Sequence, residues 1–542
     1  MLQKLPPDVA KQVLALVPCS LLELLSGLPP PLHGLALLSK IACRNTVVTH
    51  SLRNPRGPPL SRQSAIPSLV PHLLLNQPLL SSFVLDNWDI SMPSIQSLAA
   101  ALPHFSHLTR LSLSHSLTTP GHIATLSPYL PYIPVLRDLN VASAAIDSVA
   151  ATTFAQHLAR TTRLTALDVS ENPIFPHGDP SAAHAFVLAV ATLPSLATLN
   201  IASTGLPCST AVLMLRHLAG NACIRRLNLA CCIDHSETLE GELQTSLLAL
   251  TELQSLRMSW ALAPTAFPPV ASLPVALSRL HLCDHAGQVD ALKFSACLAH
   301  LTALRVLDVS GNDWEVASLV QIRGALANLP FLHTLSLLSP HPEVPMLSML
   351  DTIPGLTTLR SLGICGWAQD ADVEEQVQAT LAEVTHLSIS YGAHARFTSA
   401  HIGSQLGGMA RLRSLCLQGH DVCRNMLPAV APLTALTRLV LVDTRTGPTT
   451  IRSREIWMQL RPLVGLEVLD VALNAGQDAH ACGSWDVELL THFVLLHKYW
   501  PALRELHMEL QNVAKHDLVD GMYIHDVCIR KHVHRATLDE FM

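Results

Sequence analysis

The chain has 542 residues, 35 Lys and Arg against 41 Asp and Glu, a net charge of −6 and 49% apolar residues. Charged side chains make up 14% and aromatics 4%, against about 25% charge in an ordinary soluble domain. This balance excludes intrinsic disorder, which pairs few apolar residues with much charge. It also argues against nucleic acid as a partner, because no Lys/Arg run or positive excess is present.

In chain order, the first segment is residues 5–38, LPPDVAKQVLALVPCSLLELLSGLPPPLHGLALL. Lys11, Pro18 and Glu23 interrupt its apolar stretch, so no membrane span is expected. Lys4 leads into Pro6, Pro7 and Asp8, unlike a secretory signal. Asp8 can cap a helix carrying Val9, Val13, Leu16 and Val17. Pro18 stops that helix, and a second one carries Leu21, Leu22, Leu24, Leu25 and Leu28. The arrangement of Leu5, Pro6, Val13, Leu14, Pro18, Leu21, Leu22, Leu25 and Leu28 resembles an F-box. The resemblance implies docking of residues 1–50 on the Skp-type adaptor of a cullin (SCF) ubiquitin ligase. Pro29, Pro30 and Pro31 depart from the family pattern, and Leu32 stands where an aromatic anchor is usual. The other reading of this segment is an N-terminal cap for the repeats that follow. Residues 51–79, rich in proline and containing Arg53, Arg56 and Arg62, read as a linker and first cap segment.

From residue 80 to 512 one pattern recurs, Leu-x-x-Leu-x-Leu. Fifteen clear copies run from LTRLSL at Leu108 to LRELHM at Leu503, and a weaker one is LSSFVL at Leu80. The last two apolar residues of each copy are two apart and share one face of a strand. The residue between them, such as Asp308 between Leu307 and Val309, is expected on the other face, in water. Between strands, Val316, Leu319, Leu326 and Leu329 keep helical spacing. Pro103, Pro194, Pro274, Pro330 and Pro354 are expected to close such helices. One strand and one helix cannot bury their own apolar faces, so the units must stack. The expected fold is α/β, a solenoid with a curved parallel sheet inside and helices outside, after a small helical module. The copies resemble leucine-rich repeats of the ribonuclease-inhibitor-like type. In that family an Asn or Cys at the ninth repeat position bonds the loop backbone. Asn172, Asn312, Asn474 and Cys232 match it here, whereas Ser116, Thr204 and Thr444 replace it.

The inner face predicted from the strand phase includes Asn140, Asp168, Asn200, Asn228, Arg257, His281, Asp308 and Ser336. Short polar side chains of this kind suit hydrogen bonding to a protein target. Two departures from the rhythm carry Arg445, Arg452 and Arg454, and Trp485 beside Leu489, Leu490 and Phe493. The arginines read as a solvated loop or a phosphate contact, and Trp485 as core. No phosphate loop, nucleophile elbow or zinc-protease motif is present. Asp168, Asp308 and Asp470 recur at one strand position, many strands apart, so they share no active site. His525, Cys528, His532 and His534 have zinc-type ligands but no zinc spacing. The stretch reads as an end helix in a C-terminal cap, residues 513–542. Thirteen cysteines without a Cys-x-x-Cys pair fit a reducing compartment.

The expectation is therefore a non-catalytic cytoplasmic or nuclear protein, without cofactor, metal, nucleic-acid or membrane partner. Two functions follow from the sequence. One is an SCF substrate receptor that binds a target through its repeats. The other is a stand-alone scaffold or inhibitor.

Overall fold

The computed structural model describes residues 81–85, 90–175, 180–221, 223–230, 240–258, 273–283, 291–312, 322, 324–337, 358–365, 381–390, 406, 409–419, 428, 430–443, 460–473, 500, 502–503, 505–508, 523–524 and 527–531. The F-box-like segment, Asn474, Cys232, Thr444, the Arg445–Arg454 loop and Trp485 lie outside them.

The chain divides into two compact units, with the boundary near residues 262–278. The first carries the strands β1 (Ser82–Val84), β2 (Arg110–Ser112), β3 (Asp138–Asn140), β4 (Ala166–Asp168), β5 (Thr198–Asn200), β6 (Arg226–Leu229) and β7 (Ser255–Met258). Each pairs in parallel with the next. Between them run α1 (Met92–Ala101), α2 (Pro120–Leu126), α3 (Ser148–Leu158), α4 (Pro180–Ala191), α5 (Cys208–Ala219) and α6 (Glu240–Leu248). This is the strand–helix alternation expected of a parallel sheet with right-handed crossovers.

Register follows the repeat. Phe83, Leu111, Leu139, Leu167, Leu199, Leu227 and Leu256 are successive partners. All are at most 4% exposed, so the weak copy at Leu80 supplies a true strand. The helices stack on their neighbours, α3 on α4, α4 on α5 and α5 on α6. They bury Ile95, Leu98, Phe154, Phe186 and Leu215 completely.

The second unit has β8 (Arg279–Leu282), β9 (Val306–Asp308), β10 (Thr334–Leu337), β11 (Ser361–Cys365), β12 (His386–Ser390), β13 (Ser414–Gly419), β14 (Arg438–Asp443), β15 (Val468–Leu473) and β16 (Glu505–Met508). These too are parallel and sequential. Helix α7 (Ala291–Leu298) lies between β8 and β9. Leu280, Leu307, Leu335, Leu362, Leu387, Leu415, Leu439 and Leu469 form its core row, each at most 1% exposed. The buried Trp500 donates its indole N–H to the Leu460 carbonyl at 3.0 Å.

Two expectations change. Residues 527–531 form a strand, β18, parallel to β16 and antiparallel to β17 (Tyr523–Ile524), not an end helix. Isoleucine and valine at 524, 527 and 529 favour extended backbone there. Proline also does more than stop helices. Pro103 sits inside a 3-10 turn, Leu102–His104, that continues α1, while Pro93 and Pro120 open α1 and α2. A first-turn proline costs nothing, because its missing N–H would have had no partner inside the helix.

The turn after each strand repeats as closely as the strand. His115, Ser143, Glu171, Ser203 and Gly311, all at the eighth repeat position, take positive φ between 50° and 73°. The amides of the first four donate to the carbonyl of Ala142, Ser170, Ala202 and Ala230 in the following repeat, at 2.8–2.9 Å. The parallel ladder is thereby prolonged past the strand, which offsets the strain of a non-glycine residue in that region.

At the ninth position the fully buried Asn172 makes five bonds. Its Nδ2 donates to the carbonyls of Val141, Val169 and Ser170 at 2.8–3.0 Å. Its Oδ1 accepts from the amides of Ala144 and Ile146 at 2.8 and 3.0 Å. Asn312 likewise donates across repeats to the Leu282 carbonyl at 2.7 Å. Ser116 donates to the Leu85 carbonyl at 2.6 Å, also across repeats, and Thr204 to the Ile201 carbonyl of its own repeat at 2.7 Å.

Candidate partner-binding face

Strand phase and register place the eight sequence-predicted face residues on one row within each unit. In the first, Ser112, Asn140, Asp168, Asn200, Asn228 and Arg257 are successive partners. In the second, His281, Asp308, Ser336, Gly363, Ser388, Cys416, Val440 and Asp470 are. Neighbours on a row stand about 4.8 Å apart along the sheet.

In the first unit Asn140, Asp168, Asn200, Asn228 and Arg257 are half-buried. The side-chain oxygens of the three asparagines and Asp168 hold their own backbone. Asn140 Oδ1 accepts from the Ala142 amide at 2.9 Å, Asn200 Oδ1 from Ala202 at 3.2 Å and Asn228 Oδ1 from Ala230 at 3.1 Å. Asp168 Oδ1 accepts from the amide and hydroxyl of Ser170 at 3.0 and 2.7 Å. Its Oδ2 accepts from Asn200 Nδ2 at 2.9 Å. An Asx side chain bonded two residues on is a turn former, and it takes the amide that would have continued the strand. Strands β3, β4 and β5 stop after three residues, and β6, with the same bond at Asn228, after four. The row is therefore a preorganised polar strip. Two residues before Asn140, at the start of β3, one carboxyl is perturbed: burial, with help from the Asp168 charge, raises Asp138 above 3.8 against the pull of Arg110, 3.3 Å away.

The second unit corrects the expectation that Asp308 faces water. It is 3% exposed, and Ser336 is fully buried. The reason is mutual cover along the row. His281 Nδ1 stands 3.5 Å from Asp308 Oδ2, with its side chain 15% exposed. The Ser310 amide and hydroxyl bond Asp308 Oδ1, and the Ser310 and Ser336 hydroxyls are 2.7 Å apart. Burial works to raise the Asp308 carboxyl, but hydrogen bonds from His281 and Ser310 outweigh it and hold the group below 3.8. Next on the row, a Cβ at Gly363 would come within 2.7 Å of Ser336 Oγ. Further on, Cys416, Val440 and Val442 form a buried cluster, and burial pushes the Cys416 thiol up to about 11.

The half-exposed candidates thus reduce to Asn140, Asp168, Asn200, Asn228 and Arg257, with His281 partly accessible in the second unit. Sequence reasoning missed the serines that bind the row aspartates. Their signal was present, since Asp-Val-Ser occurs at Asp168–Ser170 and again at Asp308–Ser310. Among the described residues no group of three His, Cys, Asp or Glu could hold a metal ion, and no helix is long and apolar enough to cross a membrane.

Fold and face together define an α/β, solenoid-like protein with a polar strip along a parallel sheet. No family model matches the chain, and no curated protein does. Among solved structures it is similar to one described as Leiomodin-1 Actin-Binding Site 2 (ABS2). That match has 17% identity and a TM-score of 0.24, and it covers 30% of this chain and 89% of the other.

Proposed function

We propose that the chain is a non-catalytic, leucine-rich-repeat protein-binding subunit, the substrate receptor of an SCF-type ubiquitin ligase. The observation that supports partner binding is the register-aligned, half-exposed row Asn140–Asp168–Asn200–Asn228–Arg257. Its Asn and Asp side chains are held by the backbone two residues on, so little of their conformational freedom is lost on binding. The F-box-like residues Leu5, Pro6, Val13, Leu14, Pro18, Leu21, Leu22, Leu25 and Leu28 are the argument for an adaptor. Action is by proximity, raising the concentration of a bound target beside the ubiquitin-loaded enzyme. The three prolines at 29–31 favour the second reading, a scaffold or inhibitor with no ligase link. Full-length protein offered to a Skp-type adaptor should capture it, and the Leu21→Asp, Leu22→Asp double variant should not. No capture by the wild type, or equal capture by the variant, leaves the scaffold.

A further inference from the structure

At the N-terminal edge of the sheet in the second unit, the positions around the first leucine of each repeat carry a file of cations. Arg279, Arg305, Arg360, Arg411, Arg413 and Arg438 come from five of the seven repeats whose strands are β8–β14. All but Arg438 are exposed, and Arg438 is half-buried. The remaining two repeats place His333 and His386 in the same file. Burial, and then the nearby charges of Arg305 and Arg279, hold His333 below 6.5; burial and Arg438 do the same to His386. The cations are thus close enough to feel one another. Among the described residues of this edge, the acids are Glu383 in the repeats of β8–β14, and Glu467 and Glu505 in the repeats of β15 and β16.

Glu383 demonstrates what the file accepts. Its Oε2 lies 2.5 Å from Arg411 Nη1 and 3.5 Å from Arg360 Nη2, a carboxylate bridging two repeats. With strands about 4.8 Å apart, Arg305, Arg360 and Arg413, which share the second repeat position, stand roughly 10 Å apart, and Arg279 and Arg438 sit one position further along. An extended peptide advances about 3.3 Å per residue, so its carboxylates can meet successive arginines every second or third residue. A nucleic-acid strand is the poorer occupant. The chain as a whole is negative, with a pI near 6.6, where a nucleic-acid reader spreads positive charge over a face.

We propose that this arginine file is a docking edge for an acidic, extended polypeptide segment of a partner protein. The proposal deepens the partner-binding reading and rests on it, but not on the adaptor.

The test uses full-length protein and a fluorescein-labelled peptide of alternating Glu and Ser, read by anisotropy. A Gln–Ser peptide and an oligothymidylate serve as competitors. The Glu–Ser peptide should bind, and about tenfold more weakly on going from about 50 to 300 mM salt, as screened ion pairs do. The Arg279→Glu, Arg305→Glu variant should lose about tenfold in affinity, and Arg163→Glu in the first unit should lose none. Circular dichroism and adaptor capture should be unchanged in the double variant, so this proposal and the ligase reading fail separately. Equal binding of the Gln–Ser peptide, undiminished binding by the double variant, or tighter binding of oligothymidylate would overturn the proposal.

Discussion

Asn172 and Thr204 occupy the same repeat position, but the Asn172 amide both donates and accepts across two repeats, and that bridging sets its energetics. Asn172→Ala orphans buried amides and carbonyls of two repeats, so it should cost about 3 kcal/mol or more, whereas Thr204→Ala should cost about 1 kcal/mol. Urea midpoints of the two variants compare them directly. Asp308 makes a pH-dependent contribution. Its folded carboxyl is held below the ordinary 3.8, so its stabilisation is complete above that value and is lost as pH falls through the lower folded value. Asp308→Asn should therefore be less stable at neutral pH and should flatten the loss of stability below pH 3.8. An unaltered acid limb in denaturant titrations would assign that loss to other carboxylates. Gly363 answers to space, not to backbone freedom. Gly363→Ala should destabilise by about 1–3 kcal/mol through crowding on Ser336, and Ser336→Gly in the same chain should recover most of it.

Side-chain bonds mark several strand and helix ends. Where an Asx oxygen captures the amide two residues on, β3, β4, β5 and β9 end after three residues and β6 after four. Strands β13, β14 and β15, with Cys416, Val440 and Asp470 at that position, run for six. Asn200→Val should cost about 1–3 kcal/mol for the lost bonds to the Ala202 amide and Asp168. It should also raise amide protection at Ala202 as the strand extends, which hydrogen exchange can read. Helix α3 begins at Asp147, whose Oδ1 accepts from the Ala150 amide at 2.8 Å. Helices α1, α2 and α5 start without a side-chain cap, with proline at the first turn of α1 and α2 and at the N-cap of α5.

Across the molecule, burial is shared between neighbours. Each core leucine is flanked by the leucines of the rows before and after it, so damage should propagate locally. Leu415→Ala should cost about 2–5 kcal/mol and loosen amides in β12, β13 and β14, while β2–β5 in the other unit keep their protection. Uniform loss of protection over both units would mean that they unfold as one.

The sequence by itself determined the strand phase, the parallel order and the apolar core. A Leu-x-x-Leu-x-Leu period leaves one way to hide each leucine, between like neighbours. The row Asn140–Arg257 was legible for the same reason, since position in the repeat fixes the face. Only the tertiary structure decided which of those side chains meet water. Asp308 and Ser336 vanish from the surface because His281 and Ser310 close over them, and the exposed arginine edge emerges because separate repeats bring like charges side by side. Exposure depends on what lies on the adjacent strand, some 25 residues away, and a pattern within one repeat cannot carry that information.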